Sequence, residues 1–332
     1  MQLVIDKYGT ELGVRDGMFH VRIEDESRTF AADKVESILF SRAGSITTDA
    51  IKLAIEKGVE IIFIDRSGIP YGRLWSNKFG SITTIRRRQL EFSRAVAAVG
   101  WIKKLVLRKL DNQLAMVYSL SKADGTTADL INKTSERIEG YKKKIRKVQG
   151  SSVQEISSSV RGWEGSASRW YFRCVSANLP AQYAFETRSQ KPAYDMFNSM
   201  LNYSYGILYH RVEGALIRAG VDPYIGIMHR DEYNKPVFTY DFIENFRIWA
   251  DFVVVNLCMQ EVMFREFFVI ENGTFYLDTP GKRILVNAFN DYFAEVILFN
   301  KLERSRNTHI ELAAQEFASY LLKWKFEKGP DP

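Results

Sequence analysis

Four residues in the second half of the chain have the types and spacing for metal chemistry: Glu164, His229, Asp241 and Glu244. Glu164 stands in Arg161-Gly162-Trp163-Glu164-Gly165-Ser166-Ala167-Ser168. Two glycines inside a helical stretch cost about 1 kcal/mol each relative to alanine, which close backbone packing or room for a ligand would offset. The competing assignment is a helix–helix contact lined by small residues, with Glu164 a surface glutamate. Tyr171, two turns on, shares the expected face of Glu164. His229 ends the apolar stretch Tyr224 to Met228 and precedes a polar turn and an expected short strand, Val237 to Tyr240. It therefore belongs at a domain rim, as a ligand or as a hydrogen-bonded loop histidine. Asp241 and Glu244 are expected to open the next helix, where positions three apart share a face. Asp241 at a helix start can equally cap the backbone amides, with Glu244 as its capping-box partner.

As a set these side chains have a logic that each lacks alone. Hard divalent cations take carboxylate oxygens, and one added imidazole shifts preference from Mg²⁺ toward Mn²⁺ without excluding Mg²⁺. Such an ion activates an attacking hydroxyl or water and stabilises charge on a phosphodiester. No Walker A loop, Rossmann glycine fingerprint, HExxH or GxSxG motif competes with this reading. Four histidines exclude a histidine-rich metal site.

The elements that must position the set fall into two textures. Short alternating stretches fill the first 75 or so residues, with Asp16-Gly17 as a hairpin turn and a helix from Thr47/Thr48 to Gly58. From about Thr84, long segments rich in Leu, Ala, Lys, Arg and Gln recur with helical spacing. The expected helices are Ile85 to Leu120, Leu130 to Val148, Val153 to Ala177, Tyr194 to Ala219, Asp241 to Phe264, Gly281 to Leu302 and Thr308 to Lys323. A hairpin is signalled at Glu271-Asn272-Gly273. The expected fold class is α+β. A small β-rich domain (1–75) and a linker (76–84) precede a larger helical catalytic domain (85–332).

A hydrophobic fraction of 46% over 332 residues is enough to bury full cores. Two cysteines without CxxC spacing argue against a disulfide framework or a zinc site. A charge close behind the first residue argues against a signal peptide, and no apolar run reaches the roughly 20 residues of a membrane span. A soluble, cytoplasmic protein without a membrane partner is expected. Lys and Arg total 46 against 40 acids, net +6. The excess is clustered, with eight cations against Glu91 alone between Arg86 and Lys109, and a second run from Lys142 to Lys147. On helices these line extended faces, either solvated or used as a phosphate track.

These residues, in this order, resemble the CRISPR-associated endonuclease and spacer integrase, the universal "Cas-one" family of prokaryotic adaptive immunity. The resemblance rests on Glu164-Gly165 with Ala167 and Tyr171-Phe172. It rests also on Arg188, Pro192, Asp195 and Asn198 leading into Leu201-Asn202-Tyr203, and on Gly220 to Gly226, His229 and Asp241 to Arg247. In the N-terminal half Gly9, Leu12, Ser45 to Asp49, Ile61 to Asp65 and Gly68 fit as well. Met196, Asn245 and Ile248 stand where family members often have proline, beside the site and not in its ligand set. The resemblance implies Glu164, His229 and Glu244 as metal ligands for Mn²⁺ or Mg²⁺, and Asp241 as a further acidic residue needed for activity. It implies a homodimer formed through the N-terminal domain and a complex with the small partner "Cas-two". The implied reaction is attack of a spacer 3′-hydroxyl on a repeat-array phosphodiester; a metal-dependent nuclease cutting branched or single-stranded DNA without strand transfer and a DNA-binding scaffold with a decayed site are the alternatives. Arg86, Arg87, Arg88, Arg188 and Arg247 are candidate phosphate partners, and Tyr171 a residue to stack or hydrogen-bond near the scissile site.

Overall fold

The computed structural model describes residues 2–35, 37–65, 70–74, 82–120, 127–229 and 232–324. The chain divides into two compact units, Met1–Gly80 and Ser81–Pro332. Most of the expected linker, 76–84, lies outside the described residues.

The first unit holds two four-stranded sheets and a helix. Its elements are β1 (Gln2–Ile5), β2 (Thr10–Arg15), β3 (Met18–Ile23), β4 (Glu26–Phe30), β5 (Ser37–Phe40), β6 (Gly44–Ile46), α1 (Thr48–Lys57), β7 (Glu60–Ile64) and β8 (Pro70–Leu74). One sheet runs β1-β5-β7-β8, the other β4-β3-β2-β6. Asp16 and Gly17 both take positive φ at the β2–β3 turn, as a two-residue hairpin matching strand twist requires. The Thr47 side chain accepts from Ala50 N at the start of α1, and Gly58 ends it in the left-handed region. Leu12, Phe19, Ile38, Ala50, Ala54 and Ile61 form the core. Leu39, Ile62 and Ile64, alternate residues of the same strands, are buried as a second cluster. Burial on both faces explains why β7 reads as a continuous apolar run.

The second unit is mostly helical. It comprises α2 (Ile82–Arg94), α3 (Val96–Ser119), α4 (Ala128–Lys147), α5 (Val153–Asn178), α6 (Met196–Arg218), α7 (Val237–Phe242), α8 (Arg247–Met259), β9 (Phe268–Glu271), β10 (Thr274–Leu277), α9 (Thr279–Ala294), β11 (Val296–Phe299), β12 (Leu302–Ser305) and α10 (Arg306–Lys323). Helices α3, α4 and α5 pack on one another, α6 packs on α8 and α10, and α3 also reaches α8. Ser152, Asp195, Asp278 and Ser305 cap α5, α6, α9 and α10 through their side chains, which fixes where each long helix starts.

Four expectations need correcting. The expected helix Asp241 to Phe264 is broken by a 3-10 turn at Ile243–Asn245, and its main part, α8, ends at Met259. Val237 to Tyr240 is not a strand: it forms most of α7, where Phe238 packs against Trp101, Phe242 and Phe317. Core contacts there override the strand preference of β-branched and aromatic residues. The expected helix Ile85 to Leu120 is broken at Ala95, which is extended. The expected helix Gly281 to Leu302 stops at Ala294. A β11–β12 hairpin follows, turned by Asn300 and Lys301 at positive φ.

Candidate functional site

The site is assembled by one face of α3. Lys109, Asn112 and Gln113, spaced i, i+3 and i+4, point the same way. Lys109 Nζ forms an ion pair with Glu164 Oε1 on α5 and lies 2.7 Å from Glu244 Oε2. Gln113 Nε2 donates to Ser168 Oγ at 3.2 Å, and Ser168 Oγ donates to Glu164 Oε1 at 3.0 Å. Asn112 Nδ2 reaches the carbonyl of Asn245 at 3.5 Å. Glu244 sits on the 3-10 turn Ile243–Asn245 between α7 and α8, and Arg247 Nε donates to its Oε1 at 2.7 Å. Two carboxylates from distant parts of the chain therefore share one largely enclosed ammonium.

Electrostatics keep both partners charged. Burial alone would raise the pKa of Glu244, but the charges of Arg247 and Lys109 outweigh it and bring it down to about 2. Burial works equally against the charge on Lys109, yet Glu244 and Glu164 hold its pKa above the ordinary lysine value. A carboxylate that stays ionised at neutral pH is what a hard cation needs as a ligand.

Both carboxylates line a cavity of about 670 Å³, together with Gly165, Arg188, Arg247 and Asp251. A Cβ built on Gly162 or Gly165 would meet no atom within 4 Å. Close backbone packing is thus not what these glycines supply; Gly165 keeps open the space beside Glu164. Asp251 accepts from Tyr171 Oη at 2.8 Å and from Tyr205 Oη at 2.6 Å. Burial raises its pKa despite these two hydroxyls.

Asp241 and His229 form a second cluster. Asp241 is fully buried in the last turn of α7. Its Oδ2 accepts from the backbone N–H of Ile227 at 2.8 Å and of Met228 at 2.9 Å. Its Oδ1 accepts from His229 N at 3.2 Å and pairs with His229 Nδ1 at 2.6 Å. The expected role of Asp241 as a cap opening a helix is therefore wrong in position: it stands near a helix end and staples the 227–229 backbone. A proton on Nδ1 facing this carboxylate leaves Nε2 as the ring's ligand atom. Gly226 makes the tight turn possible, since a Cβ there would meet the His229 carbonyl oxygen at 2.3 Å. Gln89 of α2, not singled out from sequence, donates to the carbonyls of Asp222 and Ile225 and accepts from Asp222 N. It holds the start of the same loop.

The two clusters are neighbours through aromatic rings. His229 meets Tyr240 edge-on at 6.1 Å, and Tyr240 meets Tyr209 at 5.3 Å. Tyr209 Oη accepts from Arg247 Nη2 at 2.8 Å, which returns to Glu244. Glu164 and Glu244 are thus brought together, and His229 with Asp241. Among the described residues, no three His, Cys, Asp or Glu side chains lie close enough to hold an ion jointly. Two features still fit a divalent cation: Glu164 and Glu244 already share a cationic group, and Glu244 stays ionised although it is buried.

Comparison with known proteins supplies the family. The profile described as "CRISPR associated protein Cas1" matches residues 3–291. The chain belongs to the Cas1 family. It is 28% identical to the CRISPR-associated endonuclease Cas1 1 of Archaeoglobus fulgidus over 315 residues, covering 92% of this chain and 88% of that one. Against the CRISPR-associated endonuclease Cas1 1 of Francisella tularensis subsp. novicida it is 26% identical over 334 residues, covering 97% and 99%. Similar solved structures include a casposase bound to integration product (TM-score 0.81, 21% identity, 98% of this chain and 92% of that one). A CAS1 protein from Thermotoga maritima aligns with TM-score 0.80 at 15% identity over all of both chains. A Cas6-RT-Cas1–Cas2 complex contains a chain aligning with TM-score 0.79 at 20% identity, covering 99% of this chain and 36% of that one. At these identities the structural likeness speaks for the fold, an α+β Cas1 fold with a β-rich N-terminal unit. Among the described residues, no helix is long and apolar enough to cross a membrane.

Within this Cas1 chain the candidate DNA contacts separate by environment. Tyr171 is fully buried and spends its hydroxyl on Asp251, so it cannot stack on or reach a strand; that expectation is corrected. Arg88 Nη1 donates to the carbonyls of Leu321, Leu322 and Trp324. It satisfies the open end of α10, a structural duty for a cation at a helix C-terminus. Arg86 lies 3.7 Å from Asp222, and Arg87 is exposed. Arg188 and Arg247 line the cavity, where Asn198 at 2.8 Å and Asn202 at 2.6 Å fix the Arg188 guanidinium.

Proposed function

We propose that this chain is the metal-dependent DNA integrase of CRISPR adaptive immunity, joining a spacer 3′-hydroxyl to a repeat-array phosphodiester. The observation that carries the reading is the convergence of Glu164 and Glu244 on one cation at a polar cavity, in a chain of the Cas1 family. Glu164 and Glu244 would hold Mn²⁺ or Mg²⁺, with His229 Nε2 as third ligand once the imidazole is drawn toward them. The ion, when bound, lowers the pKa of the attacking hydroxyl and offsets charge developing on the phosphodiester.

The remaining work falls to the chain itself. Asp241 holds the His229 tautomer and ring position, as a carboxylate behind a metal-binding histidine does. Arg247 keeps Glu244 ionised, and Arg188 presents a pre-oriented guanidinium to a phosphate in the cavity. A surface strip on α4 and α5 continues the positive lining. Lys133, Arg137 and Arg173 gather within 5.5–5.7 Å of the Trp170 ring centroid, and Lys144 lies over Tyr141 at 5.5 Å. Cations interleaved with aromatics suit a nucleic-acid strand. One P–O bond forms as another breaks, so bond energy is conserved and no ATP is consumed. Residues 1–75 are assigned to homodimer formation, 76–84 to a linker and 85–332 to catalysis, with Cas2 as the small partner.

The test is strand joining. Purified chain with Cas2, Mn²⁺ or Mg²⁺, duplexes bearing free 3′-hydroxyls and a repeat-containing plasmid should give covalent joints that vanish with chelator or with 3′-deoxy ends. Cleavage without joints, with Cas2 present, would replace the integrase reading with that of a nuclease. Joining that persists after exhaustive chelation would sink the metal assignment.

A further inference from the structure

We propose that Lys109 is a built-in counter-ion that occupies the place of the divalent cation in the ion-free chain and competes with it for Glu164 and Glu244. This rests on the reading that those two carboxylates hold the ion. The basis is geometric. Lys109 Nζ contacts Glu164 Oε1 and Glu244 Oε2, oxygens of two different elements. Its side chain is 13% exposed, and those of Glu164 and Glu244 are 20% and 8% exposed. Taking an ammonium out of water is unfavourable unless its partners are well placed. Here the partners are two carboxylates whose mutual repulsion the same ammonium relieves.

Glu164, Glu244, Lys109 and Arg247 sum to zero, so a divalent ion added beside them leaves two uncompensated positive charges. Without the Lys109 charge, the same ion enters a site of net −1. A divalent ion and an ammonium a few Å apart repel strongly where water is scarce, so the two cannot share the same oxygens. Ion binding must therefore expel the ammonium. Lys109 lines the cavity, and its unbranched stem with three donors can re-aim without moving α3. The anion that would receive it there is a phosphodiester oxygen. Lys109 is thus a positioning residue that holds the ligand carboxylates together until ion and DNA replace it. In Lys109→Gln or Lys109→Met the ion no longer has a competitor.

The experiment is Mn²⁺ binding to the full chain without DNA, followed by electron paramagnetic resonance and titration calorimetry. Alongside it, melting temperatures are taken with and without Mn²⁺. Lys109→Gln is expected to bind Mn²⁺ about 10-fold more tightly than wild type, a change of about 1.4 kcal/mol. It is expected to melt lower without the ion and to gain more from it. Lys109→Arg, which keeps the charge, should stay at or below wild-type affinity. If Lys109→Gln folds only when Mn²⁺ is added, the inference stands; if millimolar Mn²⁺ fails to restore the fold, it falls. It falls also if Lys109→Gln binds as wild type does or more weakly, while Glu164→Gln abolishes binding; the metal site would then survive alone. If neither wild type nor any variant binds Mn²⁺, both readings fail together.

Discussion

Asp241→Ala is expected to lower stability by about 3–5 kcal/mol, an effect at the severe end for a single substitution. Four donors converge on this carboxylate: the backbone N–H groups of Ile227, Met228 and His229, and the His229 ring. Alanine leaves three backbone donors without an acceptor in a site where Asp241 itself has no exposure, at about 1–3 kcal/mol for each buried orphan before relaxation. For a unit the size of Ser81–Pro332, the melting temperature should fall by roughly 10 °C. Strand joining should fall further than the folded fraction explains, because the His229 ring loses the carboxylate that sets its tautomer. Asp241→Asn should be intermediate, since one amide oxygen can accept but its NH₂ faces other donors. A melting temperature within 2 °C of wild type for Asp241→Ala would contradict the stapling role.

Glu164→Gln and Glu244→Gln should share one loss and differ in another. Each removes a proposed metal oxygen charge, and each should cut joining about 1,000-fold or more, equivalent to about 4 kcal/mol of transition-state stabilisation. Their stabilities should diverge. Glu244 is the buried partner of both Arg247 and Lys109, so neutralising it leaves two largely enclosed cations short of charge, at about 3 kcal/mol. Glu164 is more exposed, 20% against 8%, and its Ser168 hydrogen bond survives in the amide. A loss under about 2 kcal/mol is expected there. Chemical denaturation beside the joining assay measures both. Equal destabilisation by the two would show that the Lys109 bridge is not shared as described.

Much of the fold was legible because local rules and tertiary context agree. The Asp16-Gly17 and Asn272-Gly273 turns, the Thr47 and Gly58 ends of α1 and the helical texture after Thr84 all follow from backbone chemistry. The misread segments are those where packing decides. Val237 to Tyr240 has strand-like residues, but Pro236 precedes it and Phe238 needs the aromatic cluster around Phe317, so it coils into α7. Asn300-Lys301 turns a hairpin without the glycine that would advertise it.

The site was legible as residue types and partly opaque as arrangement. Glu164 and Glu244 converge, and Asp241 stands behind His229, although both pairs are invisible to local periodicity. In the sequence Lys109 is one charge of a basic run, because net charge along a helix does not say which cation faces inward. The signal was present nonetheless: Lys109, Asn112 and Gln113 form a polar i, i+3, i+4 set beside buried Leu110 and Leu114. Arg88 and Tyr171 show the reverse error, where a group suited to DNA is occupied by a helix end or a buried aspartate.

On the proposed reading, Glu164, Glu244 and His229 gather on one divalent ion. The most direct measurement is anomalous diffraction at the manganese edge from crystals of the wild-type chain grown with Mn²⁺. A single strong peak is expected between the Glu164 and Glu244 carboxylates, at about 2.0–2.3 Å from their oxygens and from His229 Nε2, with Lys109 withdrawn from both. A peak elsewhere, or Lys109 still bridging the two carboxylates at saturating Mn²⁺, would contradict it.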